Sequence, residues 1–215
     1  VYASTGKNNQ AEQYYKKALQ IDSTYFAAHY NLGLFYMNKG RYEQSEEYTK
    51  KAIQLDPTFS NAYGILGNLY EITGQYEKAE HYTKKCIQLD SSNSICLNIL
   101  GNIYLSTGRY KKAKQEFKEA IRQNAVFWEA FSNIGLSCHH LQEWEEAAAM
   151  TQKAIDLFPG DGGLYGELAY ALSYIPDRSE EAEAAYKKAV ELSPEWPDIY
   201  LFRAASLLNA IAAGK

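Results

Sequence analysis

The sequence predicts an all-α protein, an α-solenoid of antiparallel helix pairs, and three observations predict it. The first is a single period. Gly33, Gly67, Gly101 and Gly135 stand 34 residues apart, and Tyr2, Tyr36, Tyr70 and Tyr104 keep the same spacing, with Cys138 continuing that series. Ala18, Ala52, Cys86, Ala120 and Ala154 repeat it again, as do Gly6, Gly40, Gly74 and Gly108. The second is that apolar residues inside each period follow helical spacing in two runs separated by a glycine. The third is the scarcity of proline, 5 in 215 residues, which leaves long helices possible. A fixed period of this length is the mark of stacked supersecondary units.

The elements follow in order. Residues 1–25 read as a trailing half repeat, residues 26–59, 60–93, 94–127, 128–161 and 162–196 as full repeats, and residues 197–215 as a terminal helix. In the first full repeat His29, Leu32 and Tyr36 mark one helix, and Tyr48, Ala52 and Leu55 the next. Gly40 ends the first helix, because glycine takes the left-handed cap conformation cheaply. Asp56-Pro57 closes the second, since proline cannot continue it. The following repeat has the same plan, with Ile65, Leu66, Tyr70, Gly74, Tyr76, Ala79, Ile87 and Leu89. The glycines at 33, 67, 101 and 135 fall inside helices, where each costs about 1 kcal/mol relative to alanine. A cost repeated so regularly implies a repeated gain, the close approach of a partner helix.

Later repeats depart from the plan. Gln123-Asn124-Ala125 stands where Leu-Asp-Pro is expected, so that exit turn is expected to differ. Gln142 replaces the turn glycine and Trp144 the tyrosine after it. Ala169 replaces the helix glycine, and one extra residue falls within Ile175–Ser179. Val1 falls in the middle of a first helix, which predicts a fragment of a longer array. Tyr14, Ala18 and Ile21 then lack a complete first helix to cover them, a surface suited to contact with another chain and so to a homo-oligomer. Leu201-Phe202, Leu207-Leu208 and Ile211 give the last helix a broad apolar face, that of a cap or of the first helix of a further repeat.

The segment YNLGLFYMNKGRYEQSEEYTKKAIQLDP, Tyr30 to Pro57, resembles a tetratricopeptide repeat, with its aromatic, Leu-Gly, Tyr, later Ala and closing Pro. The resemblance covers nearly the whole chain and implies a right-handed superhelix whose first helices line a concave groove for a protein or peptide partner. Residues just off the packed Leu-Gly and Tyr positions are then the candidate contacts: Tyr30, Asn31, Asn68, Asn98, Asn102, Asn133, Glu167 and Tyr170. The stripe is rich in asparagine, which is polar and a weak helix former. Its amide can serve both the C=O and the N–H of an extended peptide. Asparagine is also common at such places in these repeats, where some side chains bond neighbouring helices. Glu129, Glu167 and Asp198 make the C-terminal stretch acidic and favour a basic ligand residue there. The family's clamp for C-terminal carboxylates of heat-shock chaperones needs lysine and arginine in the groove, which this stripe lacks. The resemblance also admits a regulatory or substrate-recruiting array of a larger enzyme, such as the glycosyltransferases that modify Ser or Thr, and a self-assembling scaffold.

Composition excludes other classes. The net charge of −4 lacks the basic surplus that phosphate neutralisation demands, so nucleic acid is not an expected partner. No apolar run reaches the ~18 residues of a membrane span. Cys86, Cys96 and Cys138 are odd in number and show no CxxC, so all three read as small apolar fillers, with no disulfide framework and no zinc site. His139 and His140 are adjacent, not at the i, i+4 spacing of a helical metal pair. His29 falls at an aromatic packing position and His81 on a second helix. Ser91-Ser92-Asn93-Ser94 and Gly160-Asp161-Gly162-Gly163 read as inter-repeat turns, not as a nucleophile or a phosphate loop. Lys16-Lys17, Lys50-Lys51, Lys84-Lys85 and Lys187-Lys188 sit beside glutamates and read as a solvated outer face. No catalytic residue, metal or cofactor is expected. The 19 tyrosines, against 8 phenylalanines, suit surfaces half buried and half wet.

Overall fold

The computed structural model describes residues 3–212, and among them it holds twelve helices and no strand. They are α1 (Ala3–Ile21), α2 (Phe26–Asn38), α3 (Tyr42–Leu55), α4 (Ser60–Ile72), α5 (Tyr76–Leu89), α6 (Ser94–Ser106), α7 (Tyr110–Gln123), α8 (Trp128–Leu141), α9 (Trp144–Leu157), α10 (Gly162–Ser173), α11 (Ser179–Leu192) and α12 (Pro197–Ala212). The chain forms two compact units, residues 1–103 and 104–215. In the first, α2 packs against α3 and α4 against α5; in the second, α8 against α9 and α10 against α11. Val1 and Tyr2 lie outside the described residues, as do the side chains of Phe202 and Ile211. Gly6 does not make a turn as its later counterparts do: α1 runs helical through it. A single helical glycine costs only about 1 kcal/mol, so it breaks a helix only where packing bends the chain back.

The glycines inside first helices sit at helix contacts. A Cβ built on Gly33 would meet the Thr49 hydroxyl, with Thr49 Cβ and N each 3.3 Å away, and Gly67 meets Thr83 in the same way. Gly135 faces Thr151 in the second unit, where the added Cβ would lie 2.5 Å from its hydroxyl oxygen. All three threonines are fully buried, and among the described residues their hydroxyls have no hydrogen-bond partner. Ser45, buried beside the first of these contacts, donates its hydroxyl to the Gly33 carbonyl at 2.8 Å.

The tyrosine series joins one repeat to the next. Tyr36 donates its hydroxyl to Glu12 at 2.7 Å and Tyr70 donates to Glu46 at 2.8 Å, each reaching back 24 residues. The same glutamates pair with Lys16 at 2.7 Å and Lys50 at 2.5 Å, so the periodic lysines are held along their own helices. The Lys50 ammonium, followed by Tyr70, keeps Glu46 below the usual carboxylate range. Burial and the Glu46 charge push Tyr70 up to about 12. The tyrosine rings are buried while their hydroxyls remain bonded, which accounts for tyrosine at positions that phenylalanine would fill equally well by size.

The turns are built alike in spite of the sequence departures. Asp22, Asp56 and Asp90 accept from the backbone N–H two residues on, at 2.9, 2.9 and 3.1 Å. Asn124 does the same for Val126 at 3.3 Å, so the exit turn expected to differ keeps its form, because asparagine offers the same acceptor oxygen. Gly40, Gly74 and Gly108 take φ of 68°, 73° and 73°. Gln142 stands in for the fourth with φ 59°. The extra residue near Pro176 is absorbed by a longer connection in which Asp177 takes φ 63°.

The cysteines are not all fillers. Cys86 and Cys96 form a disulfide, their Cα atoms 6.4 Å apart. The expectation rested on an odd count and the absence of CxxC, but an antiparallel helix pair brings residues ten apart together across its turn. Gly64 makes room for the bond, since a Cβ there would lie 2.9 Å from the Cys96 sulfur. Cys138 alone is a buried free thiol. At the two ends apolar surface is exposed, as the sequence suggested: Tyr14 and Ile21 on α1, and Leu201, Leu207 and Leu208 on α12.

Candidate functional site

All the candidate groove residues lie on the first helices of their pairs and all are half-buried: Tyr30 and Asn31 on α2, Asn68 on α4, Asn98 and Asn102 on α6, Asn133 on α8, Glu167 and Tyr170 on α10. Their amides are partly engaged already. Asn31 donates its side-chain N–H to Ala27 O at 2.7 Å, one turn back on its own helix. Asn98, Asn102 and Asn133 each interact within the protein. Tyr30 has its ring 4.9 Å from Phe59, edge to face, and stacks on Phe26 at 6.3 Å. Asn93, read from the sequence only as part of a turn, donates to Asn61 at 2.8 Å and accepts from Cys96 N at 3.1 Å, capping the start of α6.

Tyr170 belongs to an aromatic cluster. Its ring lies 5.4 Å from His139, and its hydroxyl is 3.1 Å from that of Tyr174, which stacks on Trp144 at 4.0 Å. Burial among these rings pushes His139 down to about 4, and its buried Nε2 has no hydrogen-bond partner among the described residues. His140 points elsewhere and stacks on Tyr110 at 4.2 Å. Cys138, Glu143 and Glu146 bring donor atoms within 4.8 Å of one another. The cation there is Lys114, whose ammonium reaches Glu143 at 2.5 Å and Glu146 at 2.8 Å.

Glu167 stands in a different setting, a cleft of about 390 Å³ at the N-terminal ends of α8 and α10. Trp128 and Ser132 line it from α8, Asp161 and Gly163 from the start of α10, and Trp196 from the turn before α12. The Gly162-Gly163 pair allows this closure: a Cβ on Gly162 would lie 2.7 Å from Ser193 Cβ, and one on Gly163 would run into the Trp196 indole. Asp161 caps α10 by accepting Gly163 N–H at 2.8 Å. Trp128 is braced by Phe158, stacked at 4.9 Å. Glu167 accepts from the Ser132 hydroxyl at 3.2 Å. Burial pushes its carboxyl up to about 7, Asp161 adds to the shift, and Ser132 opposes it. Among the described residues neither carboxylate has an ion-pair partner. A larger cleft of about 560 Å³ between α9, α10 and α11 differs here, since its Arg178 and Glu181 pair with each other. The sequence places Glu167 among the candidate contacts and does not single out Asp161, Trp128 or Trp196, which line the cleft with it. The available signal was the double glycine beside an aspartate, which was read only as a turn.

Comparison with known proteins follows the same division of the chain. A family model described as the cilia and flagella-associated protein 70 middle TPR-like domain matches residues 2–104. Two tetratricopeptide-repeat models match residues 100–162 and 164–195. The BBSome complex member BBS4 of Xenopus tropicalis is 35% identical over 82 residues, 38% of this chain and 16% of that protein. Among solved structures, one from the APC/C hetero-tetramer Cut9–Hcn1 superimposes with a TM-score of 0.82 at 18% identity, covering 96% of this chain and 41% of its own. YrrB, described as a TPR protein with an unusual peptide-binding site, gives 0.69 at 19% identity over 88% of this chain and 97% of its own. MamA gives 0.68 at 25% identity over 76% and 95%. The chain thus spans less than half of BBS4 and of the matched APC/C chain. With repeat-family matches running from residue 2 to 195 and a fold shared with these solenoids, the chain belongs to the tetratricopeptide-repeat family.

Proposed function

We propose that the chain is a protein-interaction module that holds an extended segment or a helix of a partner along the first helices of its repeats. The observation that carries the reading is the recurrence of half-buried polar and aromatic residues on those helices, Tyr30, Asn31, Asn68, Asn98 and Asn102 in the first unit and Asn133 and Glu167 in the second. Helix packing uses the neighbouring Leu32, Leu66 and Ile134 positions, which are fully buried, and leaves these residues in reach of solvent. Stacked repeats suit such binding because they present one residue of the same kind per repeat to an extended ligand. The described peptide-binding site of YrrB, a protein of the same fold, supports the reading. The Asn31 amide, bonded to Ala27 O on its own helix, can exchange that bond for a partner's backbone at small net cost.

A photo-crosslinking amino acid at Leu34 or Asn68 should capture a bound partner, whereas the same group at Lys85, half-buried on the second helix α5, should not. Asn68→Ala with Asn102→Ala should weaken binding about ten- to a hundredfold with helical content unchanged. Capture from Lys85 alone, or undiminished affinity of the double variant, would remove the stripe as the binding surface.

A further inference from the structure

We propose that the cleft bounded by Trp128, Asp161, Glu167 and Trp196 is a pocket for a single arginine side chain of the bound partner, an assignment that rests on the interaction-module reading and gives it a specificity element. Three observations converge on a cation. Two carboxylates face one space of about 390 Å³ without an ion-pair partner among the described residues. Two indoles line the same space, and indole faces attract cations more strongly than other aromatic rings do. Glu167 is held by burial in a state where its charge is costly, and an incoming cation would relieve that cost. The cluster Cys138, Glu143 and Glu146 shows the contrast, because there the chain supplies its own lysine.

The shape selects arginine among cations. A guanidinium is planar, carries five donors in a fixed fork and stacks on aromatic faces while bonding carboxylates in its plane. That plane can serve Glu167 and Asp161 together while one face lies on indole. The Ser132 hydroxyl holds Glu167 Oε2 at 3.2 Å, and Gly163 N–H holds Asp161 Oδ1 at 2.8 Å, so one oxygen of each carboxylate is fixed by the protein and the other is left for the ligand. A lysine ammonium would place one point charge between two acceptors and stack less well. Two carboxylates and a serine hydroxyl are too few donors for a divalent cation, which takes six or more oxygens and here would draw most of them from water.

The probe is N-acetyl-arginine-N-methylamide, titrated into the whole chain and followed through the indole N–H resonances of its three tryptophans. Trp128 and Trp196 should shift saturably, while Trp144, in the His139 cluster, should stay in place. The citrulline analogue, equal in shape and uncharged, should give no saturable shift, and the lysine analogue should bind several-fold more weakly. Glu167→Gln should reduce arginine affinity about tenfold or more. Equal binding of citrulline overturns the cation assignment, and it does so on the unaltered protein. Equal binding of lysine overturns the choice of arginine, and undiminished binding by Glu167→Gln overturns the site. Because the probe needs no partner protein, its failure leaves the crosslinking test at Leu34 and Asn68 standing, and the two readings fail separately.

Discussion

At the scale of single residues, His139 and Glu167 are displaced in opposite directions by the same cause, removal from water, and their effects on stability oppose each other. Glu167 rises from its ordinary 4.5 to about 7, so the folded state holds a proton that the unfolded chain has released. Its contribution is present below about pH 4.5 and is lost as pH rises through 7. His139 falls from 6.5 to about 4, so the folded state stays neutral where the unfolded chain binds a proton. That contribution is present above about 6.5 and is lost as pH falls through 4. Each is worth on the order of 1–3 kcal/mol. Between about pH 4.5 and 6.5 the two slopes cancel. Urea titrations across this window should show Glu167→Gln gaining stability relative to the parent as pH rises, and His139→Gln losing it. Parallel pH profiles for the parent and both variants would mean that neither group is displaced.

At the scale of helix pairs, close approach is set by glycine against threonine. Gly67→Ala gains helix propensity of about 1 kcal/mol. It also drives a Cβ into the Thr83 hydroxyl, and overpacking of that kind costs about 1–3 kcal/mol. The variant should therefore be less stable than the parent, and most of the loss should disappear in a Thr83→Ala background. Equal effects of Gly67→Ala in both backgrounds, measured by denaturant titration, would show that the threonine is not what the glycine accommodates. The α5–α6 turn carries a second constraint. The disulfide closes a loop of ten residues in sequence separation, and breaking it should cost about 3 kcal/mol through the freed unfolded chain. Thiol labelling of the denatured, unreduced protein should find one thiol, that of Cys138, and reductant should lower the denaturation midpoint. Three labelled thiols without reductant would show that the pair is open.

At the scale of the whole molecule, repeat stacking makes each helix pair depend on its neighbours. Tyr14 is 71% and Ile21 87% exposed on α1, and apolar area of this kind favours association. Sedimentation at rising concentration should show self-association, and Tyr14→Glu with Ile21→Glu should suppress it. A mass independent of concentration would exclude this face as a contact between copies. The charge balance has a related effect. With 26 acidic and 22 basic side chains the surface is mildly anionic, which agrees with a basic ligand residue at the acidic cleft.

The sequence by itself determined the helical class, the period, the helix count and the position of nearly every turn. These depend on local spacing, and local spacing is written in residue types: a glycine that ends a helix, an aspartate that folds its own turn, a small residue where helices touch. It also placed the polar stripe on the first helices, because face follows from period. Only the tertiary structure decided that Cys86 meets Cys96, that Thr83 is the neighbour of Gly67, and that Asn31 turns back on its own helix. It alone brought Trp128 and Trp196, at the far ends of two consecutive repeats, to one cleft with Asp161 and Glu167. These depend on the distance between helices and on side-chain rotamers. Apolar periodicity constrains neither, since the same pattern of buried positions is compatible with many arrangements of the side chains between them.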